Sequence, residues 1–244
     1  MTGDRVLIDG DRVRRPAGWW TPTVHDFLRH LHDVGFDRVP RPLDLADGWE
    51  TLALIPGDSG AEGWGRVISD DGLRAFAALL RDFHEAARGY RPPPGAAWAL
   101  DYGPGDVICH GDFGPWNAVW HGDEPVGLVD FDFAGPGDRL LDIAYALEFT
   151  APFRSDDEAM THLRHPVPPD RPRRIELFAE AYGMASTAGL VDAVIARQRL
   201  TITHVRQLAR RGLRPQRDWV EEGYLAELEQ RAVWSERHRV LLDA

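Results

Sequence analysis

His110-Gly111-Asp112-Phe113-Gly114-Pro115-Trp116-Asn117, followed after a short hairpin by Val129-Asp130-Phe131-Asp132, is the stretch on which the reading of this chain turns. The loop presents Asp112 and, five residues on, Asn117, setting a proton acceptor beside a neutral oxygen ligand. Asp130, at a neighbouring strand end, adds a hard anionic ligand. Mg2+ binds through a few protein oxygens together with phosphate oxygens and water. Phosphoryl transfer asks a protein mainly to position groups and neutralise charge. Asp112 is therefore expected to take the proton of an acceptor hydroxyl, with Asn117 and Asp130 on Mg2+.

Short apolar runs frame the loop: Val107 to Cys109 before it, then Ala118 to Trp120 and Val126 to Val129, the last two joined by a His121-Gly122-Asp123-Glu124 turn. Working back toward the N-terminus, Arg91-Pro92-Pro93-Pro94-Gly95 reads as an extended linker, since three prolines forbid helix. Before it, apolar positions Leu73, Phe76, Ala77, Leu80, Phe83 and His84 share a helix face that Asp70 or Asp71 can cap and that ends near Gly89. Arg5 to Ile8 and Arg12 to Arg15 flank Asp9-Gly10-Asp11 as a hairpin. Thr21 and Pro22 then open a helix that runs to Gly35, with Thr21 as N-cap. Two more strands are expected around Arg41 to Leu45 and Glu50 to Ile55, the second closed by Pro56-Gly57. Beyond Leu140 the patterns are helical: Leu141 to Phe149, Arg173 to Ala185, Val191 to Arg211 and Trp219 to Leu242. This is an α+β chain without the regular alternation of a doubly wound sheet.

His-Gly-Asp-x-x-x-x-Asn followed by Val-Asp-Phe-Asp-x-Ala resembles the aminoglycoside phosphotransferase family, within the protein-kinase-like fold. Phe133 to Ala144 is similar to the segment that follows the metal Asp in these enzymes, with Asp142 in the place of a structural carboxylate. Leu54-Ile55-Pro56-Gly57 looks like the hinge between lobes, and Leu79 to His84 like the helix ending in His. The resemblance covers roughly residues 5 to 150. It implies a bilobal fold: a small N-terminal β-sheet lobe with one helix (residues 1–57), and a larger, mostly α-helical C-terminal lobe with a short β insertion (residues 58–244). It also implies ATP or GTP as phosphoryl donor, Mg2+ as cofactor, Ile55 at the nucleotide, and a hydroxyl-bearing small molecule as acceptor, with antibiotic resistance as one outcome.

The chain departs from that family in three places. All 28 basic residues are Arg and none is Lys, so the phosphate-contacting Lys of the small lobe has no counterpart. Either Arg14 or Arg15 substitutes or nothing does, and a guanidinium can bind phosphate oxygens bidentately. Resemblance to relatives with an Arg-Arg-Pro run favours Arg14, while strand alternation points the two side chains to opposite faces and leaves the choice open. The helix that should carry the partner Glu offers only His25 or Asp26. The first hairpin begins too early for a Gly-rich loop over the phosphates, so the small lobe reads as truncated.

Around the loop, His110 is read as structural ahead of a catalytic acid or base, Asp132 as a loop-holding carboxylate ahead of a second metal ligand, Asp138 as a helix cap, Trp116 as packing or substrate contact, and Cys109 as a buried inert thiol. Asp218, Glu221, Glu222, Glu227 and Glu229 read as a solvated helix face, or as steering groups for a cationic acceptor. At 244 residues the length prior is roughly 1.6 domains of about 150 residues. A net charge of -11 and a pI of 5.3 argue against a nucleic-acid partner. A single cysteine permits no disulfide framework and fits a reducing compartment. No uncharged apolar run reaches about 18 residues and no h-region opens the chain, so no membrane segment is expected and a cytoplasmic protein is read. The oligomeric state is open. The leading expectation is an O-phosphotransferase. Its rival is a binding or immunity protein on a degraded kinase fold, for example against a peptide antibiotic. A hydrolase with metal on Asp112, Asp130 and Asp132 stands third.

Overall fold

The computed structural model describes residues 6–242. Arg5, expected in the first strand, lies outside them. The chain opens with β1 (Leu7–Asp9), β2 (Arg12–Pro16), α1 (Thr21–Asp33), β3 (Pro42–Ala46) and β4 (Trp49–Ala53). The strands form one antiparallel sheet in the order β1-β2-β4-β3, with Arg15 opposite Glu50 and Val13 opposite Leu52. Glu50 and Leu52 are the buried positions of β4, so a carboxylate shares a face with an apolar side chain. Such a carboxylate has to be paired.

After β4 come α2 (Gly63–Arg66), α3 (Asp70–Ala87), β5 (Val107–Cys109), β6 (Ala118–His121), β7 (Glu124–Leu128) and β8 (Gly135–Gly137). The helical remainder is α4 (Leu140–Thr150), α5 (Asp156–His162), α6 (Arg171–Tyr182), α7 (Leu190–Arg210), α8 (Gln216–Glu221), α9 (Tyr224–Arg237) and α10 (Arg239–Leu242). The expected single helix from Trp219 to Leu242 is three. Gly223, at φ +85°, ends the first of them in the left-handed region. The three expected strands around the loop also sort differently. β6 pairs β7, whereas β5 pairs β8, a Gly-Pro-Gly strand that apolar patterning does not reveal.

The helix starts are refined as well. Ser69, not Asp70 or Asp71, caps α3 by accepting from the Gly72 amide at 3.1 Å. Thr21 lies inside α1, where its hydroxyl accepts from the Gly18 amide at 2.9 Å. Asp138 accepts from the Leu140 amide at 2.7 Å and so closes the start of α4.

One continuous apolar core ties the small sheet's helix to the rest. Phe27 of α1 is fully buried, its ring centroid 6.2 Å from Phe83 of α3 and 6.4 Å from Phe131 beside the candidate metal Asp. Truncating such a ring to Ala costs about 3–5 kcal/mol, so α1 is firmly fixed against the loop region. Arg174 of α6 is a second cross-link. Its buried guanidinium donates to the carbonyls of Thr150, Val67 and Ile68 at 2.5, 2.5 and 2.8 Å. α2 abuts the loop from another side: a Cβ on Gly63 would lie 1.9 Å from the Pro115 carbonyl oxygen, so no larger residue fits. Among the described residues no helix is long and apolar enough to cross a membrane.

Candidate active site

The loop from His110 to Asn117 is held by buried polar groups beneath it. Asp142, on the first turn of α4 and 1% exposed, accepts the His110 and Gly111 amides at 2.6 and 2.8 Å. Its Oδ2 also faces His84 Nε2 at 3.1 Å, and His84 Nδ1 meets the Tyr182 hydroxyl at 2.8 Å. Burial alone would raise the Asp142 carboxyl, but the bond to His84, the nearby histidines and the Gly111 amide outweigh it and hold the group below its ordinary value. His110 is structural. Its Nδ1 accepts from the Asp112 amide at 3.3 Å, so the proton sits on Nε2 and is donated to the Val129 carbonyl at 2.9 Å. Gly111 is at φ +82°, and a Cβ there would lie 2.1 Å from the Tyr102 hydroxyl and 2.2 Å from the Phe133 carbonyl oxygen, so the turn accepts only glycine.

Asp112 emerges from this frame half-buried, with a donor on each oxygen. The Tyr145 hydroxyl donates to Oδ1 at 2.5 Å, and Asn117 Nδ2 donates to Oδ2 at 2.8 Å and to the Asp112 carbonyl at 2.9 Å. Burial pushes the Asp112 carboxyl above its ordinary value, Asp130 adds to that, and the Tyr145 bond opposes it. A higher proton affinity suits a base. Because Asn117 spends its amide nitrogen on Asp112, its Oδ1 is left as a neutral oxygen donor. The Val129 amide, bonded to the Asn117 carbonyl at 2.8 Å, ties this residue to the strand that leads into Asp130.

Facing Asp130 and Asp132 is Arg15. Its Nε donates to Glu50 Oε1 at 2.7 Å, Nη1 to Asp130 Oδ1 at 2.9 Å and Nη2 to Asp132 Oδ1 at 2.7 Å. Arg14, favoured by the resemblance, is not part of this cluster. It is exposed on the other face of β2, its guanidinium 5.1 Å from the Trp49 ring centroid. Burial works against the Arg15 charge, but the three carboxylates outweigh it and hold the guanidinium even more firmly protonated than usual. Burial, aided by Asp130 and opposed by Arg15, pushes Asp132 up to about 6. Asp132 also accepts from Trp20 Nε1 at 3.1 Å. Asp130 is at φ +64°, a conformation that costs a non-glycine residue of order 1 kcal/mol and is kept only where its surroundings demand it.

The partner that α1 was expected to carry comes from β4. Glu50 binds Arg15 with one oxygen and meets His25 Nε2 with the other at 2.8 Å, so His25 supports the pair from behind. Ile55 is half-buried after β4 and packs over Gly127, where a Cβ would lie 2.8 Å from its Cγ2. The chain following it is zipped to β6 by two backbone bonds between Asp58 and Trp120 at 2.7 and 2.8 Å.

Two neighbouring cavities open beside Asp112 and Tyr145, of about 110 and 280 Å3, closed on the far side by α7, α8 and α9. The acidic run of the last helices does not line them. Asp218 lies against Arg214 at 3.4 Å, Glu221 against Arg217 at 3.6 Å and Glu229 against Arg206 at 2.8 Å, while Glu227 lies 3.8 Å from Arg231 of the cavity wall. Sequence reasoning missed Glu50, Tyr145 and Arg197. The burial period of β4 could have flagged Glu50; nothing in the pattern of α4, whose polar Asp142 and Glu148 are as buried as its apolar residues, marks Tyr145. Arg197 of α7 is buried, donates to the Gly111 carbonyl at 2.8 Å and lies 4.5 Å over the Tyr145 ring.

A small antiparallel sheet with one helix, a larger helical part, and a carboxylate loop facing a guanidinium across the cleft define a protein-kinase-like fold. Residues 95–190 match the family model described as the phosphotransferase enzyme family. The chain is 30% identical over 206 residues to the trifolitoxin immunity protein of Rhizobium leguminosarum bv. trifolii, covering 79% of this chain and 77% of that one. This chain therefore belongs to the aminoglycoside phosphotransferase family of kinase-like proteins. Its fold is shared with a GDP complex of aminoglycoside 2'-phosphotransferase-IIIa, at TM-score 0.61, 16% identity and coverage of 95% of this chain and 90% of that one. A choline/ethanolamine kinase family protein from Mesorhizobium loti also matches, at TM-score 0.56 and 16% identity over 93% and 84% of the two chains.

Proposed function

We propose that the protein is a small-molecule O-phosphotransferase that moves the γ-phosphoryl group of ATP or GTP to an acceptor hydroxyl, with Asp112 as general base. The observation that carries this reading is the convergence of Asp112, Asn117, Asp130 and Arg15 on one cleft. Asp112 Oδ2 takes bonds from Asn117 at 2.8 Å and from the Trp116 indole at 3.4 Å, and Oδ1, bonded only by Tyr145, keeps a lone pair for the acceptor proton. That carboxylate takes the hydroxyl proton as the acceptor oxygen bonds to phosphorus and the bond to the departing diphosphate breaks. Asn117 and Asp130 would hold Mg2+, and the donor types fit it: a neutral amide oxygen and a half-exposed carboxylate, with phosphate and water completing the shell. When bound, the ion neutralises charge developing on the phosphate oxygens. Arg15 reaches the same carboxylates and stands where a phosphate-contacting cation is needed. With one buried thiol and no disulfide partner, the chemistry suits a reducing, cytoplasmic setting.

A second reading has its own support. The relative that is 30% identical is a trifolitoxin immunity protein, which favours a role in immunity to a peptide antibiotic, by capture or by modification. Calorimetric titration with ATP and with GTP, each with Mg2+ and with EDTA, separates the two. Metal-dependent binding followed by transfer to a hydroxyl that disappears in Asp112→Asn supports the phosphotransferase. No nucleotide binding in any condition overturns it in favour of capture.

A further inference from the structure

The cavity of about 280 Å3 beside Asp112 sits near the lower end of the roughly 300–1,000 Å3 typical of small-molecule sites. Its walls are Trp64, Trp116, Tyr145, Phe149, Trp219 and Tyr224. Trp64 and Trp116 have ring centroids 4.9 Å apart, and Phe149 stands perpendicular to Trp116 at 4.8 Å. Trp219 and Tyr224, from the last helices, form a second pair at 5.3 Å. Aromatic walls admit two kinds of guest, a cation held over ring faces or a flat ring stacked against them.

The protein's own charges decide between them. Arg197 lies over the Tyr145 ring at 4.5 Å, Arg154 over Phe149 at 5.1 Å and Arg231 over Tyr224 at 5.6 Å. Three of the six walls thus already carry a guanidinium on a face. Two nitrogens of Arg154 and Nε of Arg197 are buried without a hydrogen-bond partner, so neither guanidinium is fully hydrogen-bonded. Of the residues that line the cavity Asp112, Glu148 and Arg231 are charged, while Arg197 and Arg154 touch its rings without lining it. Glu148 is 4% exposed and 4.0 Å from Arg154, and burial pushes its carboxyl up and the Arg154 guanidinium down, so the two charges offset each other. With Glu148 beside Arg154 and Arg231 in the same wall as Asp112, a polycation finds no surplus of carboxylates here; Asp218, Glu221 and Glu229 are paired with other arginines, and Glu227 is spent on Arg231 at 3.8 Å.

We infer that this cavity is built for an uncharged, ring-bearing alcohol or phenol, whose ring stacks between the aromatic walls while its hydroxyl reaches Asp112. As an assignment of the acceptor it rests on the phosphotransferase reading, but as a binding site it is tested without nucleotide. Calorimetry and saturation-transfer NMR on the full chain compare 4-hydroxyphenethyl alcohol, choline and kanamycin. The neutral ring should bind and the two cations should not. Trp219→Ala and Trp64→Ala, both at half-buried positions, should each weaken it by about tenfold, close to 1.4 kcal/mol, with unchanged circular dichroism. Tighter binding of choline or kanamycin overturns the inference. So does a neutral ring that fails to bind, or that binds equally well to both folded variants. Loss of Mg-nucleotide binding would instead sink the phosphotransferase reading and leave this site standing.

Discussion

Replacing Arg15 with Met removes three charge-assisted bonds of 2.7, 2.9 and 2.7 Å at once. Of the three carboxylates released, Glu50 is 2% exposed, whereas Asp130 and Asp132 are 47% and 33% exposed and regain water. Stripping one partner from a buried ion pair costs about 3–5 kcal/mol. His25 remains on Glu50 at 2.8 Å and the other two carboxylates are partly wet, so the low end applies, about 3 kcal/mol. For a chain of this length a loss of that size lowers Tm by about 6–12 °C. Arg14→Ala on the same strand removes only an exposed guanidinium–indole contact, about 0.5–1 kcal/mol and under about 4 °C. Parallel melts at pH 7 by circular dichroism read both variants. Glu50→Gln added to Arg15→Met should cost less than the sum of the single changes, because the buried charge left alone is then gone. If Arg14→Ala melts as low as Arg15→Met, or Arg15→Met melts within about 2 °C of wild type, the assignment of the cleft cation to Arg15 is wrong.

Three further expectations bear on the loop. Asp142→Asn should destabilise the protein by about 3 kcal/mol at pH 7. Since the Asp142 carboxyl is held below its ordinary value, its stabilisation is present above the unfolded pKa and fades as pH falls through the depressed one. The gap between wild-type and variant melts should therefore close below about pH 3.9; a gap unchanged with pH would contradict this account. In Tyr145→Phe, a carbon-13 titration should find the Asp112 carboxyl shifted further up, because the donor that opposes burial is gone; an unmoved or lower value refutes the bond's role. Cys109 is fully buried, burial pushes its thiol up, and it donates to the Asp138 carbonyl at 3.3 Å. It should ignore a disulfide reagent at pH 8 until urea is added, and rapid reaction of the native protein would show the strand is not closed.

The parts of the fold that could be read from residues alone are those governed by local chemistry. Pro22 and the spacing of Val24, Phe27, Leu28 and Leu31 mark α1, and the ordered Asp112, Asn117 and Asp130 mark the loop. What escaped depends on partners distant in sequence. Glu50 pairs with Arg15 across 35 positions, and Arg197 reaches Gly111 across 86. The choice between Arg14 and Arg15 is a question of which face of β2 meets the loop. Alternation shows that only one of the two can face it, and only the register of β2 against β4 says which. β8 was invisible for a different reason: Gly-Pro-Gly has no strand propensity, and its pairing with β5 is imposed by the fold around it.

Arg15 in the cleft also determines how the protein will look to chemical proteomics. Acyl-phosphate nucleotide reagents tag kinases by acylating an amine near the phosphates, and this sequence contains no lysine at all. A guanidinium held more firmly protonated than usual by three carboxylates is no nucleophile for such a reagent. Activity-profiling surveys would pass over this chain whatever its affinity for nucleotide. A photoreactive nucleotide, which inserts without needing a nucleophile, is the probe that suits it, and labelling competed off by unmodified nucleotide is the signature to look for.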